Sequence, residues 1–324
     1  LLRICKNQNN MIRLAIVCPC YNEEAVIGRA SERLLDLLDR LTAGGKITSD
    51  SFVLFVNDGS RDRTWHLIKA LHDENPVRFK GIDLAHNAGH QKAILAGMLT
   101  AVRTADAVVT VDVDLQDDIE AIGRMIDAYN EGYDVVYGVK VSRKADPALK
   151  RMTAVAFYRL QQKLGVETVY NHADFRFISR RVVEELSRYG ERNLYLRGII
   201  PMIGFRSTTV DDVISEREAG ESKYTVSKMF TLALNGITSF SVKPIYSILS
   251  TGLIFVLVSV GIGIYVIASL ISGTAEHGWA SLMLSVWFVG GIVLLAIGMI
   301  GLYIGRIFIE VKHRPHYHIR EELD

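Results

Sequence analysis

Cysteine is scarce in this chain: there are three in 324 residues, Cys5, Cys18 and Cys20, with no Cys-x-x-Cys pair. That excludes a disulfide scaffold and argues against a thiolate metal site, leaving small buried thiols as the plain reading. An excess of charge of one sign is missing too, with 37 Lys and Arg against 36 Asp and Glu. No basic stripe with interleaved aromatics appears, so nucleic acid is not indicated as a partner. A Gly-x-x-x-x-Gly-Lys-Ser/Thr loop is absent, and so is Gly-x-Gly-x-x-Gly after the first apolar run. By motif the chain is neither a P-loop protein nor a dinucleotide fold. Charge itself vanishes in two places, from Pro244 to Ala275 and from Gly278 to Gly305.

Each uncharged run exceeds the roughly 20 residues that cross a bilayer as helix. The expectation is two membrane spans, 242–272 and 278–305, joined by a short turn carrying Glu276. The first span follows a complete globular region, so it is not a cleavable signal. Lys243 flanks one side of the pair, and Arg306, Lys312, Arg314 and Arg320 flank the other. By the positive-inside rule both flanks, and the globular region with them, face the cytoplasm of a multi-pass membrane protein. Gly290, Gly291, Gly298 and Gly301 would allow close helix contacts, and so a homo-oligomer in the membrane.

The rest divides by composition. Residues 1–11 are polar and patternless, with Met11 a candidate natural start, and read as a disordered or appended N-terminus. Residues 12–225 alternate apolar runs with amphipathic stretches: Leu14 to Cys18, a helix to about Leu41, Phe52 to Val56, a helix from Asp62 to Glu74, Phe79 to Leu84, a helix over 90–104, then Ala107 to Asp117. Such alternation predicts an α/β domain with a parallel sheet covered by helices on both faces. A helix over Ile119 to Glu131, a strand over Asp134 to Val141, a basic loop over 142–151 and a helix over 152–164 follow. Strands near Phe175 to Ile178 and Thr208 to Ile214 bracket a helix over Arg180 to Tyr189. Residues 226–241 read as a juxtamembrane amphipathic helix, and 306–324 as a basic cytoplasmic tail.

Function concentrates where apolar runs stop. The run from Ala107 ends on Asp112, Asp114 and Gln116. At the carboxyl end of a parallel strand these face the edge of the sheet where ligands bind, and residues two apart point the same way. Two carboxylates plus an amide oxygen suit Mg2+ or Mn2+, held jointly with a substrate diphosphate. Tyr21, Glu23 and Asp58 end the other strands on the same rim, and Arg143, Arg151, Arg217 and Lys223 supply cations for phosphates. His86, His90 and His172 read as loop or capping residues.

Pro19, Tyr21, Asn22 and Glu23, then Asn57-Asp58-Gly59-Ser60, then Asp112, Asp114 and Gln116 follow in an order that resembles the family 2 glycosyltransferases of the GT-A fold. More narrowly, the pattern with its paired spans is similar to polyprenyl-phosphate hexosyltransferases of the bacterial branch. That resemblance implies a GT-A catalytic domain followed by two transmembrane helices in a bacterial inner (plasma) membrane. Pro19, Tyr21, Glu23, Val56, Asp58, Asp112 and Val113 would bind the nucleotide sugar, with Arg217 and Lys223 closing over its diphosphate. Asp112, Asp114 and Gln116 would hold the metal, Arg143 and Arg151 would grip acceptor and donor phosphates, and Asp174 would be an acceptor-side carboxylate. Asn57 stands where many relatives carry Asp. The implied reaction is inverting transfer of a hexose, by preference glucose from UDP-glucose, to undecaprenyl phosphate. A UDP-aminoarabinose derivative or GDP-mannose is the alternative donor. A processive polysaccharide synthase is excluded by the missing Gln-x-x-Arg-Trp and the few spans. A sugar-nucleotide-binding protein without turnover is the rival from another class.

Overall fold

The computed structural model describes residues 11–140, 172–191, 194–212, 278–312 and 314–324, with isolated positions between 250 and 272. Arg143, Arg151, Arg217 and Lys223 lie outside the described residues, as do residues 1–10, the basic loop, the helix expected over 152–164, the 226–241 helix and nearly all of the first uncharged run.

Four strands form the centre of the main unit: β1 (Leu14–Cys20), β2 (Phe52–Asn57), β3 (Phe79–Leu84) and β4 (Ala107–Thr110). All pair in parallel, in the order β4-β1-β2-β3. Their residues are apolar on both faces because both faces are covered. Helices α1 (Ile27–Ala43), α2 (Thr64–Glu74) and α4 (Ala121–Asn130) intervene with α3 (His90–Ala101) along the chain. On one side Leu14, Ile16, Cys18, Val53, Phe55 and Val109 join Leu34, Leu38, Ile122 and Ile126 in a single core. On the other, α3 lies so close that a β-carbon on Gly97 would stand 2.4 Å from Val17 Cγ1. The absence of a side chain there sets the helix-to-sheet distance.

Beyond β4 the sheet is not parallel throughout. The next strands are β5 (Val135–Lys140), β6 (His172–Ser179) and β7 (Ser207–Asp212), with α5 (Arg180–Leu186) and α6 (Leu196–Met202) between the last two. β6 inserts between β4 and β5, antiparallel to both, and β7 runs parallel to β5 at the edge. The sheet is mainly parallel and mixed. Local periodicity reports which residues of a strand are buried and is silent about the neighbour it chooses.

Three differences from the expected elements bear on the site. Strand β4 stops at Thr110, short of the expected run to Asp117, so Asp112, Asp114 and Gln116 lie on the loop after it. Helix α6 has no counterpart in the sequence reading. At the C-terminus, 306–324 is not a tail: helix α7 (Trp279–Val311) runs on past Arg306, and β8 (Ile319–Leu323) pairs antiparallel with β3. Its sequence, Ile-Arg-Glu-Glu-Leu, is acidic rather than basic and was masked by the Lys and Arg before it.

Helix α7 is 33 residues long and belongs to a second compact unit, residues 159–166 and 224–313. Several of its side chains are outside the described residues, and taken over the described residues alone no helix is long and apolar enough to cross a membrane.

Candidate active site

Strand order places a crevice in the sheet. From β1 the chain steps to β2 and β3 on one side, then returns to β4 on the other, so the loops after β1 and β4 diverge and leave a gap between them. Val111 N–H donates to Val17 O at 3.0 Å, holding the start of the β4 loop against β1. From there side chains alternate: Val111, Val113 and Leu115 are buried, while Asp112 and Asp114 are exposed. β4 has ended at Thr110, so both carboxylates are exposed on the loop that follows it rather than on an extended strand end. A turn closes the segment, with Leu115 N–H donating to Asp112 O at 3.0 Å and Leu115 at a φ of 48°. That turn folds Gln116 back onto Asp114, with Nε2 2.7 Å from Oδ2. Among the described residues no group of three or more His, Cys, Asp or Glu is assembled to hold a metal by itself.

The β1 and β2 loops are fastened to each other. Pro19 sits opposite Val56 and Cys20 opposite Asn57. Asn22, at a φ of 57°, donates its N–H to Ser60 Oγ at 2.9 Å and accepts Arg61 N–H at 2.9 Å. Glu23 N–H donates to Thr64 Oγ1 at 2.9 Å, and Glu24 accepts Arg63 N–H at 3.0 Å. Tyr21 is left exposed above this junction. Asp58 is buried and turned inward, its carboxylate accepting the N–H of Ala88 at 2.6 Å and of Gly89 at 3.0 Å. Burial pushes its carboxyl above the ordinary value although both bonds favour the anion. Asp58 thus shapes the loop leading into α3.

A second group gathers at the end of β6. Asp174 and Arg176, two apart, turn to the side opposite Phe175 and Phe177, which enter the core. Asp174 pairs with Arg176, accepts Arg197 Nη2 at 3.0 Å and Gln91 Nε2 at 3.2 Å, and lies 3.4 Å from His90 Nε2. The same His90 atom lies 3.7 Å from Asp112 Oδ1, so this group borders the Asp112 loop. Thr110 Oγ1 donates to the Asp174 carbonyl, tying β6 to the end of β4. Burial would raise the Asp174 carboxyl, but the His90 hydrogen bond and the charges of Arg176 and Arg197 outweigh it and hold it well below the carboxylate range. For His90 burial acts downward, and the Asp174 bond with the two carboxylates leaves the imidazole above its usual value. Burial lowers Arg176, and Asp174 opposes it. Tyr137, opposite Arg176 on β5, is pushed up to about 12 by burial.

Residues 15–187, more than half of the chain, match the family model described as glycosyl transferase family 2. The chain belongs to that family. It is 50% identical over 312 residues to the uncharacterized glycosyltransferase YkoT of Bacillus subtilis (strain 168), covering 96% of this chain and 92% of that one. It is 38% identical over 313 residues to the bactoprenol glucosyl transferase of Shigella phage SfV, covering 96% and 99%. Among solved structures, the mannosyltransferase PcManGT from Pyrobaculum calidifontis aligns over 94% of this chain and 87% of that chain, at 16% identity and a TM-score of 0.45. The protein is a family 2 glycosyltransferase built on a mainly parallel α/β sheet.

Of the residues expected at the site of this glycosyltransferase, Pro19 and Val56 lie near the ends of β1 and β2, Tyr21, Glu23, Asp58, Asp112, Val113, Asp114 and Gln116 lie on the loops after β1, β2 and β4, and Asp174 joins them through His90. Val113 is buried beneath Asp112 and Asp114 and offers the rim its backbone alone. His90 is no mere capping residue, since it bridges the two groups. Gln91, Arg176 and Arg197 were missed. Arg176 carried a signal, being two residues from Asp174 on a strand. Arg197 carried none, because only the packing of α6 brings it there.

Proposed function

We propose that this glycosyltransferase transfers glucose from UDP-glucose to a polyprenyl phosphate such as undecaprenyl phosphate, with inversion, at the cytoplasmic face of a bacterial inner membrane. The 38% identity to a bactoprenol glucosyl transferase carries the reading, because the alignment covers 96% of this chain and so takes in both uncharged runs as well as the rim. A polyprenyl acceptor stays in the bilayer and presents only its phosphate to an enzyme anchored beside it. Leu282, Val286, Ile297 and Ile304 on α7 are exposed, and removing such apolar area from water is favourable by about 25 cal/mol per Å².

The chemistry asks little of a base. A phosphate monoester is mostly dianionic near neutrality, since its second pKa is about 6. Its oxygen attacks the anomeric carbon from the side opposite the nucleotide, the bond to the diphosphate breaks, and the electron pair leaves with the diphosphate. An α-linked donor then gives a β-linked lipid phosphate sugar. Asp174, held ionised by two guanidiniums, is a poor proton acceptor, so its place in this scheme is to orient His90 beside the Asp112 loop. Asp112, Asp114 and Gln116 fit a divalent ion: the first two present exposed carboxylates on the loop after β4, and Gln116 lies against Asp114. They would hold Mg2+ or Mn2+, whose charge would offset that building on the leaving diphosphate. Arg143, Arg151, Arg217 and Lys223 would hold the phosphates of donor and acceptor.

The test incubates the purified full chain with undecaprenyl phosphate and either UDP-glucose or GDP-mannose, with Mn2+ or with chelator. Labelled glucose passing into the lipid phase, matched by UDP release and stopped by chelator, is the expected result. No lipid product from any nucleotide sugar would overturn the reading.

A further inference from the structure

The last strand reaches into the rim. β8 pairs with β3 as Gly81 with Leu323, Ile82 with Glu322, Asp83 with Glu321, and then Leu84 with Ile319. Arg320 is the residue left over, the extra one of a bulge. A bulge re-aims the side chain it carries, and here the Arg320 guanidinium swings onto Asp83, with Nε 2.7 Å from Oδ2. Asp83 is fully buried, and leaving such a carboxylate unpaired is expensive. Its other oxygen accepts Asn57 Nδ2 at 2.7 Å. Asn57 Oδ1 in turn accepts Ser60 N–H at 3.3 Å, and Ser60 Oγ accepts Asn22 N–H at 2.9 Å.

The same strand also borders the neighbouring loop. His318 O accepts Ala85 N–H at 2.9 Å, at the start of the loop whose far end Asp58 holds by Ala88 and Gly89. The two loops touch at Gly59, where φ is 65° and a β-carbon would stand 2.6 Å from His86 C and Asn87 N. A turn packed backbone to backbone in this way cannot shift by itself. Besides the ladder that pairs Asn57 with Cys20 and Asp83, the C-terminal segment holds both sides of this contact, Arg320 through Asp83 to Asn57 and His318 directly to Ala85.

We infer that Arg320 is a positioning residue for the donor nucleotide: through Asp83 and Asn57 it sets the Asn57–Ser60 turn. The inference rests on the reading of this rim as the nucleotide-sugar site. Asn57, where Asp is the alternative, suits the arrangement because an amide donates to the buried carboxylate that an Asp would repel.

The full chain is titrated with UDP and with GDP in the presence of Mn2+, as wild type, Arg320→Ala, Arg320→Lys and Glu322→Gln. Glu322, on the same strand as Arg320 but away from Asp83, pairs with Arg103 after α3 and reports a strand merely loosened. Arg320→Ala should weaken nucleotide binding about tenfold, the scale of losing a partner that orients a binding group. Arg320→Lys should recover most of that, Glu322→Gln should bind as wild type, and Arg320→Ala should have no further effect in an Asn57→Ala background. In turnover, KM for the sugar nucleotide should rise with kcat changed by no more than about twofold. Should Arg320→Ala not fold, Asp83→Asn with Arg320→Ala removes the buried charge and should show the same loss. Equal binding by wild type and the Arg320 variants, or equal loss in Arg320→Ala and Glu322→Gln, overturns the inference alone. If wild type binds neither nucleotide, the reading of the donor site falls and this one falls with it.

Discussion

Two buried carboxylates at the rim, Asp58 and Asp174, have opposite electrostatics. Asp58 accepts the backbone N–H groups of Ala88 and Gly89, with His90 and His86 nearby, and burial still leaves its carboxyl above the ordinary value. Asp174 is met by Arg176, Arg197 and His90 and sits well below it. The two amide bonds do not offset what burial takes from Asp58, whereas the His90 hydrogen bond with the Arg176 and Arg197 guanidiniums does so for Asp174. Burial of an acid by itself therefore says nothing about its role. The first shapes a loop beside the turn at Gly59, and the second neutralises a cationic cluster beside the exposed pair Asp112 and Asp114.

The largest effect expected at this rim comes from neither buried acid. Asp114→Ala should lower transfer about 10³-fold or more, several kcal/mol of charge stabilisation, while circular dichroism and thermal unfolding stay as in wild type. Wild-type turnover in this variant would remove Asp114 from the reaction.

Asp174→Asn should destabilise the fold by about 3–5 kcal/mol, because it leaves Arg176, a fully buried cation, without its counter-charge. A urea midpoint unmoved by the change would mean that the cluster is held by something else. The comparison sharpens with pH, and the signs are opposite. Asp174 has a folded pKa below its unfolded value near 3.8, so its contribution is present above that pH and is lost as pH falls through the folded value. Asp58 has a folded pKa above 3.8, so stability declines as pH rises from there through the folded value. Unfolding free energies measured across this range should lose their acid-side fall in Asp174→Asn. In Asp58→Asn they should lose the decline on the other side of pH 3.8. Parallel profiles in the two variants would dissolve the distinction.

Gly59→Ala is the smallest of these effects, about 2 kcal/mol from a left-handed φ and a backbone clash. It should also weaken donor binding, since the turn and the loop after β3 would have to part. A variant as stable as wild type would show that the two segments separate readily.

Much of the site was legible beforehand because it depends on short-range rules. Strands buried on both faces appear as unbroken apolar runs, and the polar residues ending them must lie at one rim. Asp112 and Asp114 reach the rim because the apolar run of β4 stops just before them, although the segment that carries them is a turn rather than extended strand. Arg176 was readable in principle from its place two residues after Asp174 on a strand.

The amino-acid sequence alone determined the strand cores, the rim with its carboxylates, and the family. The tertiary structure decided which strands are neighbours and hence which charges meet. Nothing local in Ile319 to Leu323 distinguishes an edge strand from a tail, and Arg320 meets Asp83 across 237 residues of chain. Arg197 likewise reaches Asp174 only because α6 packs where it does. Periodicity is set within a few residues and can be read directly, whereas the pairing of distant charges depends on the whole sheet closing around them.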